Sequence, residues 1–184
     1  MAGKIPLVQT VKMVITGPFN SGKTEFVRTV SEIEVVSTEQ NISSENEKVK
    51  ETTTVALDFG RLTIDDTLIL HIFGTPGQRR FEFMWDILAE GMLGYVLMVD
   101  STRPETFREA RYMLDSFADH SDTPFVIAVN KQDLENAWDA EDIRHALHLR
   151  DEIPVLPCIA TDMELVKKVL LRLLGLIKKR LDLE

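Results

Sequence analysis

Gly17-Pro18-Phe19-Asn20-Ser21-Gly22-Lys23-Thr24 matches the phosphate-loop pattern G-x-x-x-x-G-K-[ST] at every fixed position. The pattern has a mechanical meaning. Glycines let successive backbone N–H groups turn toward phosphate oxygens, and the helix that follows presents its partly positive N-terminus to the same anion. On this reading Gly17, Asn20, Ser21 and Gly22 shape the cradle, Lys23 reaches the outer phosphates as a point charge, and the Thr24 hydroxyl ligates Mg²⁺. Glu25, the next residue, is counted with the binding set. The flanks supply the context that a short pattern needs. Apolar residues 11–15 precede it as a strand, and Phe26, Val27 and Val30 follow at helical spacing.

Moving outward, residues 37–50 are mostly polar and read as a long surface loop. Residues 55–64 and 68–72 alternate in the manner of two antiparallel strands joined by a short turn at Asp65-Asp66. A breaker-rich loop at residues 74–78 then leads into an amphipathic helix over 81–90. Residues 95–99 and 125–129 are continuous apolar runs, as parallel strands covered on both faces require, and 155–159 gives a last short strand. Helices are expected at 104–118, 139–147 and 163–181. Strand and helix alternate almost throughout. The expectation is an α/β, doubly wound, mostly parallel six-stranded sheet with one antiparallel edge strand, helices on both faces, and ligand loops at the strand carboxyl ends.

Composition sets outer bounds. The 184 residues suit one domain spanning 1–184, and the net charge of -9 argues against a dedicated nucleic-acid binder. A single cysteine, Cys158, excludes an internal disulfide and reads as a small buried apolar residue in a reducing, cytoplasmic setting. No stretch is apolar enough to span a membrane, and neither end carries a lipidation signal, so no direct membrane anchor is expected. The basic residues of the last helix, Lys167, Lys168, Arg172, Lys178, Lys179 and Arg180, are read as the solvated side of a core helix.

The second informative stretch is Asn130-Lys131-Gln132-Asp133, placed where a buried strand opens onto the ligand face. Asp133 can accept from guanine N1–H and its exocyclic amine, a donor pair that adenine does not present. Asn130 ties the base loop to the phosphate loop, and the Lys131 stem covers the base.

With these two motifs in place, the chain resembles the Ras-like small GTPase superfamily from residue 8 to about 181. The resemblance implies a P-loop NTPase fold, GTP/GDP and Mg²⁺ as ligands, and a cycle of GTP hydrolysis. It assigns the N–H of Ala160, in Ile159-Ala160-Thr161, to guanine O6, with Thr161 beside it. It makes residues 37–50 the first switch and Thr54 the residue that ligates Mg²⁺ and senses the γ-phosphate, with Thr53 as the alternative. Gly77 offers its N–H to the γ-phosphate, and Gln78 orients the attacking water, so that Gln78 and Lys23 are the catalytic candidates.

Two departures stand out. Gly74-Thr75-Pro76-Gly77 occupies the place of D-x-x-G, so the acid that holds Mg²⁺ through water is missing there. In its Thr-Pro-Gly-Gln form the motif is most similar to the prokaryotic branch of MglA-type polarity GTPases, which implies a roadblock/LC7-type partner. Phe19 stands where many members have a small residue, either packing on the second switch or crowding Gln78 and an incoming arginine. Arg79 and Arg80 are candidates for an arginine in cis or for a partner-facing surface, and Met84 and Trp85 for an interface or the core. His71 reads as structural. Against hydrolysis stands a guanine-nucleotide-dependent binding module that recruits partners without turnover. A P-loop kinase would need an acceptor site and an arginine-rich lid, and this sequence shows no such arginine-rich insertion.

Overall fold

A computed structural model of the chain describes residues 8–42, 53–118 and 123–182. Strand β1 (Gln9–Thr16) feeds the phosphate loop and helix α1 (Lys23–Val30). Strands β2 (Val36–Ile42), β3 (Thr53–Thr63) and β4 (Leu68–Gly74) follow, then α2 (Glu82–Ala89) and β5 (Gly94–Asp100). The chain continues through α3 (Phe107–Ala118), β6 (Phe125–Asn130), α4 (Ala140–Ala146), β7 (Val155–Pro157) and α5 (Met163–Leu181).

The strands form one sheet in the order β2-β3-β4-β1-β5-β6-β7. Pairing is parallel from β4 through β1, β5 and β6 to β7, and antiparallel where β3 meets β4 and β2. This is the expected α/β class, a mostly parallel sheet with an antiparallel edge region. The strand count differs. The described residues hold seven strands where six were expected, because residues 36–42 form β2 instead of the start of a loop. β2 runs from Val36 opposite Phe59 to Ile42 opposite Thr53, so backbone pairing with β3 supplies its order. An edge strand has one row of backbone groups to satisfy and need not be apolar, which is why its polar composition hid it. The rest of the expected loop, residues 43–50, lies outside the described residues.

Alternation along each central strand sends side chains to two cores. On one face Met13, Ile15, Val96, Met98, Val126 and Ala128 meet Phe26, Val27 and Val30 of α1 and the Val166, Val169, Leu170, Leu173, Ile177 stripe of α5. On the other, Val14, Leu97, Val99, Ile127 and Val129 meet Trp85 and Leu88 of α2, the apolar face of α3, and Ile143 of α4. Strands covered on both sides bury nearly every residue, and β5 is buried along its whole length. The basic residues of α5 lie outside that stripe, as the helical period requires. Cys158 is buried in the first core, and burial pushes its thiol up to about 12, which keeps it protonated and inert. His71 sits edge-on against Phe59, with ring centroids 5.4 Å apart, a packing role. No helix among the described residues is long and apolar enough to cross a membrane.

Candidate functional site: a phosphate cradle and its neighbours

Parallel strands with right-handed crossovers bring the loops after β1, β4, β6 and β7 to one end of the sheet. A cleft of about 350 Å³ opens there, lined by Phe19, Asn20, Gly22, Lys23, Thr24, Glu25, Asp58, Thr75, Pro76, Gly77, Gln78 and Phe81.

The cradle is held from within. Lys23 is buried, and its Nζ donates to the carbonyls of Gly17 and Pro18, both at 2.8 Å. Desolvation pushes the ammonium down to about 8 even though Asp58 and Glu109 act in the other direction. A cation destabilised by burial is one that an incoming anion restores. Gly22 caps α1 with φ 102°, and a Cβ there would come within 2.2 Å of Asn130 Nδ2. Both the backbone angle and the close approach require glycine. Asn20, with φ 64°, adopts the left-handed conformation that asparagine tolerates better than most side chains.

The missing acid has been moved to the neighbouring strand. Asp58 of β3 lies directly opposite Gly74 of β4 in the antiparallel register. Its carboxylate is buried and lines the cleft, where Oδ2 accepts from Thr24 Oγ1 at 2.6 Å and Oδ1 accepts from Ser37 Oγ at 2.8 Å. A Cβ at position 74 would already stand 3.1 Å from Asp58 Cβ, so an acid on β4 and an acid on β3 compete for one space. Position 74 carries no acid, as the sequence shows, but the cleft is not without a carboxylate. Asp58 was visible in the sequence as a charge inside a hydrophobic strand, a costly placement that usually marks a paired or functional group. Two hard oxygen donors from Thr24 and Asp58, turned into a phosphate cradle, fit Mg²⁺, which commonly takes one or two protein ligands and keeps its waters.

The base loop is coupled to the cradle through one side chain. Asn130 is buried, and its Nδ2 donates to Ser21 O at 2.9 Å, while its Oδ1 accepts from Ala160 N at 2.8 Å. The Ala160 N–H that the resemblance assigns to guanine O6 is therefore engaged by Asn130 in this structure, and its carbonyl accepts from Thr29 Oγ1 at 2.6 Å. Thr161, beside it, is exposed. Lys131 takes a left-handed φ of 66° and its Nζ pairs with Asp100 Oδ2 at 2.5 Å. Burial would raise the Asp100 carboxyl, but Lys131 and the Thr102 hydroxyl and N–H outweigh it and hold the group below its ordinary range. Asp133 is exposed on the same loop.

Thr54 lies in β3, where its backbone pairs with Asn41, and its side chain is outside the described set, as is that of Thr53. Both are held in a strand ladder in this structure, in line with the strand expected to begin there.

The loop after β4 is fixed at several points. Thr75 N donates to Ile15 O at 2.9 Å and its hydroxyl to Thr16 Oγ1 at 3.0 Å. Trp85 is 1 % exposed and its Nε1 donates to Pro76 O at 2.9 Å, so the interface reading of Trp85 gives way to the core. Gly77 packs on the cradle so closely that a Cβ would fall 2.6 Å from Phe19 N. Gln78 lines the cleft, with its Oε1 accepting from Arg80 Nε at 2.8 Å. Arg79 lies over the Tyr112 ring at 4.1 Å, and neither arginine lines the cleft, so an arginine acting in cis would have to leave its present partner. Phe19 stands at the cleft with 63 % of its surface exposed, which does not meet the expectation that it packs on the second switch.

Comparison with known proteins gives a consistent frame. A family described as "Conserved hypothetical ATP binding protein" matches residues 15–178. An uncharacterized protein of Methanocaldococcus jannaschii, MJ1339, is 31% identical over 125 residues, covering 67% of this chain and 71% of that protein. Human ADP-ribosylation factor-like protein 4C is 25% identical over 157 residues, 84% of this chain and 77% of that protein. Yeast Ras-related protein SEC4 is 26% identical over 135 residues, 71% of this chain and 63% of that protein. The Arf-like and Ras-related likenesses support the Ras-like superfamily that the motifs suggest.

Proposed function

The chain belongs to the family described as a conserved hypothetical ATP binding protein, and from that premise we propose that its cleft binds GTP and GDP with Mg²⁺ and hydrolyses GTP as a molecular switch. One observation carries the reading: Lys23, Thr24, Asp58, Gly77 and Gln78 converge on one cleft that Asn130 joins to the base loop. The family description speaks of ATP, and the choice of guanine rests on Asp133, whose two carboxylate oxygens match the guanine donor pair.

Backbone N–H groups of the loop and Lys23 hold the phosphates. Thr24 and Asp58 would hold Mg²⁺, which would supply charge neutralisation at the phosphates. Gln78 orients water for attack, and no covalent enzyme intermediate is needed. Gly77 senses the γ-phosphate, so loss of that group biases the loop after β4 and the surface beside it. In this reading a domain spanning 1–184 works in the cytoplasm, not on nucleic acid, through a protein partner that binds the two states unequally. The Thr75-Pro76-Gly77-Gln78 form of the motif favours the prokaryotic MglA-like branch and a roadblock/LC7-type partner. Thr54 remains proposed as the first-switch threonine, reached by rearrangement of β2 and β3 on γ-phosphate binding.

Single-turnover phosphate release from GTP with Mg²⁺ tests the chemistry. Slow release by the wild type, reduced at least about tenfold in Gln78→Leu, is expected. The same rate in both, or no release over hours with partners present, replaces the enzyme by the non-hydrolysing binding module, which the Arg80 hold on Gln78 would suit.

A further inference from the structure

We propose that Trp85 is the positioning residue for the γ-phosphate donor, making the site discriminate triphosphate from diphosphate. The inference rests on the nucleotide reading above and concerns the peptide between Pro76 and Gly77.

The chain has no cis peptide bond among the described residues, so the carbonyl of Pro76 and the N–H of Gly77 point in opposite directions from one rigid plane. Trp85 Nε1 holds that carbonyl at 2.9 Å. The indole is itself immobilised, since it is 1 % exposed and stacked near Phe117 with centroids 6.3 Å apart. Pinning the carbonyl beneath the loop therefore turns the Gly77 N–H away from the indole. Gly77 lines the cleft on its other side, where an added Cβ would meet Phe19 N and Lys23 Nζ. Gly77 is buried, and no acceptor among the described residues takes its N–H. Buried backbone donors are almost always paired, so an N–H aimed into an anion cradle points to a ligand oxygen.

One residue upstream, Thr75 is anchored to β1 through Ile15 O and Thr16 Oγ1, which leaves the Trp85 bond to Pro76 O as the hold on the plane itself. The donor is thus set before any ligand arrives, and a preorganised donor costs no reorganisation when the charge appears. A diphosphate has no oxygen at the position this donor serves. Trp85 accordingly acts on GTP and not on GDP, through Gly77 and without touching the nucleotide.

The test compares affinities of Trp85→Phe and wild type for GDP and for a non-hydrolysable GTP analogue. Phenylalanine keeps an aromatic ring and removes the N–H. The analogue should bind about tenfold more weakly in the variant, the loss expected for a charge-assisted hydrogen bond, while GDP affinity stays within about twofold. A parallel loss for both ligands, or no change in either, overturns the proposal while leaving nucleotide binding intact. Wild-type protein that binds neither ligand overturns the nucleotide reading and this inference with it. Should the variant fail to fold, the wild type still decides. The Trp85 indole ¹⁵N–H resonance, told from that of Trp138 by Trp138→Phe, should move more with the analogue than with GDP, and equal positions in the two complexes count against the proposal.

Discussion

Asp58 and Gly74 show how much one pair of residues can decide. Asp58 brings a carboxylate to the Thr24 hydroxyl from the strand beside Gly74, and a Cβ at 74 would crowd it at 3.1 Å. In the proposed reading Asp58 takes the part of the acid that the third motif lacks. Replacing Asp58 by Asn keeps its size and its hydrogen bond from Ser37 or Thr24 while removing the charge. Nucleotide affinity in the presence of Mg²⁺ should fall by at least about tenfold, since even an outer partner of a metal is worth that much, while affinity in EDTA stays nearly constant. Binding isotherms under both conditions check this, and an equal loss in both would assign Asp58 a purely structural role.

At the scale of elements, the phosphate loop, the base loop and the loop after β7 behave as one unit because Asn130 bonds to the other two. Removing its amide leaves Ser21 O and Ala160 N without their partner, each costing about 1–3 kcal/mol when buried. Asn130→Ala should lower the denaturant midpoint with the slope unchanged even in the absence of nucleotide, and an unmoved midpoint would contradict the coupling. This level also shows where sequence reading works. The phosphate loop, α1 and the buried parallel strands were legible because their signals are local: a fixed spacing, a helical period, an apolar run. For Asp58 only the charge in an apolar strand was legible and its place in the cleft was not, since that depends on the register that sets it beside Gly74, a property of two strands together. β2 was hidden for a related reason, its order coming from β3 and not from its own composition. Trp85 was an even choice between surface and core until the packing of α2 against Phe117 decided it.

The whole molecule is a sheet with two cores that delivers several loops to one end, and the ligand those loops fit is the central claim. In the proposed reading Lys23, Thr24 and Asp58 serve any nucleoside triphosphate, and Asp133 is the residue that separates the bases. Calorimetric titration of nucleotide-free protein with GDP and with ADP, both in Mg²⁺, addresses the claim most directly. A hydrogen-bonding site of this kind rejects a base lacking its donors by orders of magnitude. GDP should bind at least about a hundredfold more tightly than ADP, and Asp133→Ala should abolish the difference. Comparable affinities for the two nucleotides in the wild-type protein would contradict the claim.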